Sequence, residues 1–161
     1  MVDIPKDILN QVAAWVEPGD LDLPGYKPTT EPNPKMVQQA SSLIKKSKKP
    51  ILYVGGGIIH SKANNELFEL ATKFNIPVVT TLMGRGAFPD GHELCLEMPG
   101  MHGNYTATTS IQNADLLIAI GVRFDDRVTA NPSFFAQNAK VIHADIDPAE
   151  IGKVRDAQVP I

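Results

Sequence analysis

Asp115–Val128 reads DLLIAIGVRFDDRV. Its apolar run Leu116–Ile120 has the length and composition of a strand buried on both faces of a parallel sheet. The run stops at Gly121, and Arg123, Asp125, Asp126 and Arg127 follow at once. In an open α/β sheet, ligands bind beyond the carboxyl ends of the strands. Charges crowded there suit an anionic, hydrogen-bonding ligand. A guanidinium offers a planar fork to phosphate, and a carboxylate accepts from a ribose hydroxyl or a ring N–H. The same four charges equally make a surface turn in which they pair with one another. Spacing alone does not choose between the two.

Outward from this stretch, strand and helix signals alternate. Asn33 caps a predicted helix from Pro34 to Lys48, with Met36, Val37, Ala40, Leu43 and Ile44 on one face. The lysines of Lys45–Lys49 (KKSKK) suit the negative end of that helix. PILYV (Pro50–Val54) reads as a strand running into Gly55–Gly57, and Asn64–Phe74 as a helix with Leu67, Phe68, Leu70 and Ala71 inward. Ile76–Thr81 is the next strand, Tyr105–Gln112 a short helix, Pro132–Ala136 a helical turn, and Lys140–Asp145 a strand. Pro148–Lys153 starts a helix, and Val159–Ile161 begins another strand. That rhythm means right-handed βαβ units and an α/β fold: a Rossmann-like, three-layer parallel sheet with helices on both faces.

The other strand ends then share one edge with Gly121. Gly55–Gly57 lets a backbone approach a phosphate closely, or simply makes a tight strand-to-helix turn; the spacing is not the GxGxxG fingerprint. Thr80–Gly84 (TTLMG) and Met98–Gly103 (MPGMHG) bring hydroxyls, methionines and His102. Met and His can border a flat aromatic ligand, or fill core. Asp145 and Asp147 end the last full strand, where a carboxylate accepts from ribose or adenine or caps a helix. Together these ends point to a nucleotide-type cofactor.

Composition excludes other classes. The chain has 161 residues, net charge −3 and 43% hydrophobic residues, enough for one core and without the basic surplus of a nucleic-acid binder. Cys95 is the lone cysteine, so no disulfide framework exists and a reducing compartment is the default. No signal peptide or membrane-spanning run is present, and the expectation is a cytoplasmic domain, or an organelle stroma in a eukaryote. The four histidines show no metal-ligand spacing, no nucleophile–base pair is composed, and His143 reads as a core residue. No catalytic residue or metal ligand is assigned. Residues 1–34 do not read as the start of a domain. Val2–Asp7 reads as the end of a strand, and Pro18–Pro34 is a proline-rich linker. The domain proper is residues 35–161, with a strand begun at its end.

VDIPKD, GYKPTTEPNP, PILYVGGG, IPVVTTLMGRGAFP, MPGMHG, GVRFDDRVT and VIHADIDPAEIGK occur in this order along the whole chain. In order and spacing they resemble the acetohydroxyacid (acetolactate) synthases, thiamine-diphosphate enzymes of branched-chain amino-acid synthesis. The looser strand–helix pattern is shared with related oxidases, decarboxylases and carboligases such as glyoxylate carboligase. The resemblance implies the central, FAD-binding domain of the catalytic subunit, residues 1–34 being the tail of a preceding domain and a linker. By motif match, Gly56, Gly57, Thr81, Leu82, Met83, Met101, His102, Gly103, Gly121, Arg123, Asp125, Arg127 and Val128 would line FAD. Asp145 and Ile146 would reach its adenosine end. Lys6, Met101, Asp126 and Arg127 would border a substrate channel.

In that family FAD performs no net redox chemistry, and thiamine diphosphate and Mg²⁺ are held by the flanking domains. The parent joins pyruvate, after loss of CO₂, to a second 2-keto acid, and is a homo-oligomer with a regulatory subunit. No GDG motif occurs here, so the chain alone should be inactive. Two positions depart from the family pattern. Glu97 and Ala130 stand where glycine is usual; Glu97 either crowds the cofactor or points to solvent, and Ala130 is expected to stiffen its turn. A non-catalytic nucleotide-binding or interaction module is the alternative.

Overall fold

The computed structural model describes residues 3–19, 25 and 29–161. Five strands form one sheet in the order β2-β1-β3-β4-β5, with every pairing parallel. They are β1 (Pro50–Val54), β2 (Val78–Thr80), β3 (Leu116–Ile120), β4 (Lys140–Ala144) and β5 (Val159–Pro160). This is a doubly wound order whose winding reverses between β1 and β3.

Side chains alternate across the sheet, so each strand feeds two cores. Leu52, Val54, Val78, Leu116, Ile118 and Ile142 face α2 (Pro34–Lys46) and α4 (Asn64–Phe74), which contribute Ala40, Leu67 and Ala71. Ile51, Tyr53, Val79, Leu117, Ala119 and Val141 face α5 (Tyr105–Gln112) with Ala107, Ile111, Phe124 and Phe135. Each fully buried Leu or Ile contributes roughly 2 kcal/mol. The three-layer α/β reading from the sequence holds.

Several elements have the predicted bounds, and others differ for identifiable reasons. β1, β3 and α5 match. Asn33 accepts from Lys35 N–H to cap α2. β2 is shorter than Ile76–Thr81 because Pro77 lacks an N–H to pair and the Ile76 N–H turns back to Ala71 O at 2.9 Å. β4 stops at Ala144, one residue short of the prediction. Pro148–Lys153 makes hydrogen-bonded turns and not a helix: Gly152 takes φ +75°, and Asp147 accepts from Ala149 N–H. Val2 lies outside the described residues, and the rest of the expected strand end is α1 (Lys6–Leu9), a single helical turn. Pro24 and Pro28 of the linker also lie outside them; among the described residues no helix or strand forms between α1 and α2.

Val37 faces solvent, and Phe68 is not inward either: it is partly exposed, with its ring against Phe88 and His92. Gly55–Gly57 is a strand-to-helix turn, as the sequence allowed, and it leads into α3 (Gly56–His60), for which no bounds were expected; α6 (Asp126–Thr129) was not anticipated.

Candidate functional site

Strand register builds the site. Val54 pairs with Thr80 and Ile120, and Ile120 with Ala144, so four carboxyl ends stand level. The next residues, Thr81, Gly55, Gly121 and Asp145, form one rim. Its centre is the reversal point between β1 and β3, where doubly wound sheets open a crevice.

That centre is tightly closed underneath. A Cβ on Gly57 would fall 2.6 Å from the Gly121 Cα, and one on Gly55 2.0 Å from the Gly121 carbonyl oxygen. The amides of Gly55 and Gly57 donate to Ile120 O and Gly121 O at 3.0 and 3.2 Å. Two of the three glycines therefore serve backbone packing, and their N–H groups are engaged. Gly56 meets Met83 instead, with 3.3 Å to a built Cβ. Thr81 caps the 3₁₀ turn Leu82–Gly84 through its side chain, and its own amide donates to Val54 O.

The rim loops are tied to each other. Met101 N–H donates to Arg127 O at 3.1 Å, joining the MPGMHG loop to α6. Asp125 caps α6 by accepting from Arg127 N–H at 3.0 Å. That bond, with the Arg127 and Arg123 charges, outweighs the small cost of desolvation and holds its carboxyl below the usual range. Asp126 pairs with Arg127 at 3.1 Å. The paired-turn reading of DDR is thus realised for Asp126 and Arg127. Arg123 is exposed and makes no ion pair among the described residues. Asp145 accepts from Asp147 N–H at 2.9 Å, next to exposed Ile146. His102 and Gly103 line a cleft of about 370 Å³ with Leu82, Arg85, Glu97 and Asn104. Val128 is half-buried beneath Gly100. Lys6 sits on α1, and among the described residues no hydrogen bond or ion pair joins it to these loops.

Four apolar side chains stand out on this rim: Leu82 and Met83 are each 69% exposed, Met101 72% and Ile146 60%. These exposed apolar side chains and the exposed Arg123 guanidinium all lie on the rim loops. Glu97 adopts φ +64°, and its carboxylate accepts from Asn104 Nδ2 at 2.9 Å inside the cleft wall. Ala130, at φ +49° and ψ −111°, is strained and does not simply stiffen its turn. Among the described residues no three His, Cys, Asp or Glu side chains gather as metal ligands, and no helix is long and apolar enough to cross a membrane.

Sequence reasoning missed His143 as a partner of the rim. It is fully buried on β4, and both ring nitrogens contact rim backbone. Those partners are backbone atoms, which leave no mark in a sequence.

Residues 37–161 match the family described as thiamine pyrophosphate enzyme, central domain. The chain is 58% identical to the acetolactate synthase of Mycobacterium bovis over its full length, which is 26% of that protein. It is 55% identical over its full length to the acetolactate synthase large subunit of Corynebacterium glutamicum, again 26% of the relative. Against the probable acetolactate synthase large subunit of Methanocaldococcus jannaschii, identity is 48% over 99% of this chain and 28% of the relative. The chain spans about a quarter of the length of the curated relatives it matches. A doubly wound parallel sheet with this rim, matched over residues 37–161, belongs to the family of thiamine pyrophosphate enzyme central domains.

Proposed function

We propose that this chain is the central domain of an acetolactate synthase and that its carboxyl rim binds FAD. The observation that carries the reading is the exposure, on the rim loops, of four apolar side chains, Leu82, Met83, Met101 and Ile146, together with that of Arg123. A flavin dinucleotide has two flat ring systems and an anionic diphosphate between them. Leu82, Met83, Met101 and His102 would flank a ring and exclude water. Arg123 would hold the diphosphate, and Asp145 with Ile146 the adenosine. Gly56, Gly57, Thr81, Gly103, Gly121, Asp125, Arg127 and Val128 would shape the backbone around it. The residues present fit such a group: the apolar surface is aligned with the strand ends, and the Gly57–Gly121 packing gives a floor free of side chains.

In this reading FAD supplies no net redox chemistry, and Lys6, Met101, Asp126 and Arg127 border the substrate channel. Residues 35–161 are the binding unit, and residues 1–34 lead in from a preceding domain. Flanking domains of the parent hold thiamine diphosphate and Mg²⁺. The parent is a cytoplasmic or stromal homo-oligomeric transferase with a regulatory subunit, and it condenses pyruvate with a second 2-keto acid. The chain by itself forms no acetolactate.

Flavin fluorescence during titration of the purified chain with FAD tests this, with FMN and NADH as controls. Saturable binding selective for FAD is expected, and Arg123→Ala should weaken it about tenfold, the worth of one charge-assisted contact. Absence of FAD binding, or preference for NADH, would overturn the flavin reading.

A further inference from the structure

His143 lies on β4 with its ring against Phe124, centroids 5.1 Å apart and at 80°, and no part of it reaches solvent. A buried imidazole must find partners for two nitrogens, since each left bare costs free energy. Both partners are backbone groups of the rim. Nε2 lies 2.8 Å from the Val122 carbonyl oxygen, and the Gly152 amide nitrogen lies 3.3 Å from Nδ1. A carbonyl only accepts and an amide N–H only donates. The hydrogen is therefore on Nε2, and Nδ1 is bare.

One partner adjoins Arg123, which would hold the diphosphate, and the other belongs to the turn at the adenosine end. Val122 lies between Gly121 and Arg123. Gly152 closes the turn that begins with Asp145 and Ile146, at φ +75°. We infer that His143 is a positioning residue: as the neutral Nε2–H tautomer it braces the Arg123 loop against the Asp145–Gly152 turn, fixing the distance between the diphosphate and adenosine parts of the site. The inference rests on the reading of the rim as an FAD site only for its functional consequence; the brace itself is a property of the apo chain. A histidine that merely filled space would be replaceable by phenylalanine, which keeps the ring and the contact with Phe124.

The tests use the whole chain. In ¹⁵N-detected imidazole spectra, His143 should show a protonated, pyrrole-type Nε2 and a bare, pyridine-type Nδ1; the Nδ1–H tautomer or an imidazolium would overturn the inference. His143→Phe should bind FAD about tenfold more weakly, the effect of one buried hydrogen bond lost at the site. It should also speed amide exchange at Gly152, whose N–H donates to Nδ1, about tenfold. Unchanged affinity and exchange would overturn the brace.

Two amide variants separate its arms and serve if the phenylalanine variant does not fold. Glutamine carries its terminal group near the Nε2 position, and asparagine near Nδ1. His143→Gln should loosen Gly152, while His143→Asn should keep it protected; equal effects of the two on Gly152 would overturn the inference. If the unsubstituted chain takes up no FAD, the flavin reading falls, and the tautomer and exchange results still decide the brace.

Discussion

Gly57 and Gly121 meet backbone to backbone at the point where the winding of the sheet reverses. The Gly57 N–H donates to Gly121 O at 3.2 Å, and a Cβ on Gly121 would stand 2.5 Å from the Gly57 Cα. No real Cβ contact is that short, so the turn after β1 and the turn after β3 can nest only if both residues lack side chains. α3 owes its position to this contact. Its sequence, GGIIH, opens with two poor helix formers, and burial of Ile58 together with the nested turns holds it in place.

Gly121→Ala therefore meets two costs. Its φ of +59° disfavours a side chain, and the new methyl would press on Gly57 backbone. The sum is about 3 kcal/mol, or a melting temperature lower by roughly 10 °C for a chain of this size. Gly86→Ala isolates the first cost, because Gly86 has φ +86° with nothing within 4 Å of its Cβ position. It should lose about 1 kcal/mol. Equal losses in thermal denaturation would show that the nested packing contributes nothing.

Ala130 and Glu97 have the opposite problem, side chains where the backbone wants none. Ala130→Gly should stabilise by about 1 kcal/mol, raising the melting temperature by roughly 3 °C, since relief of strain exceeds the entropy glycine adds to the unfolded chain. Glu97→Gly should gain less, because it also removes the bond from Asn104 Nδ2. A lower melting temperature for Ala130→Gly would contradict the strain assigned to φ +49°.

How much of this was legible follows from the range of the interactions. β1 and β3 announce themselves as apolar runs closed by glycine, and their level carboxyl ends follow from parallel pairing, so the composition of the rim could be read from the sequence. The role of Gly55 and Gly57 could not be, because it depends on Gly121, far along the chain; the triplet alone suits a phosphate cradle equally well. Pro148–Lys153 looks like a helix start until Gly152 takes a left-handed conformation whose N–H points at His143. Phe68 sits at a core-facing spacing, yet its ring joins Phe88 and His92 at the margin, and nothing local to α4 signals that.

Asp115 shows the same dependence on distant partners at the opposite edge of the sheet. Its carboxylate accepts from Ser47 Oγ, from Lys48 N–H at 2.8 Å and from Lys49 N–H at 3.0 Å, closing the turn between α2 and β1. Partial burial alone would raise its pKa, but these hydrogen bonds together outweigh it and hold the group below its ordinary 3.8. A carboxyl lowered on folding stabilises the chain fully above its unfolded value and loses that contribution as pH falls through the folded one. Asp115→Asn should cost about 1–2 kcal/mol at neutral pH, discounted for the half-exposed site, because its NH₂ group would face the N–H donor of Lys48 or of Lys49, whichever oxygen it replaces. Urea denaturation of both chains from neutral pH downward should show that gap holding to about pH 4 and closing below it. A gap independent of pH would mean that the ionised carboxylate is not what fastens α2 to β1.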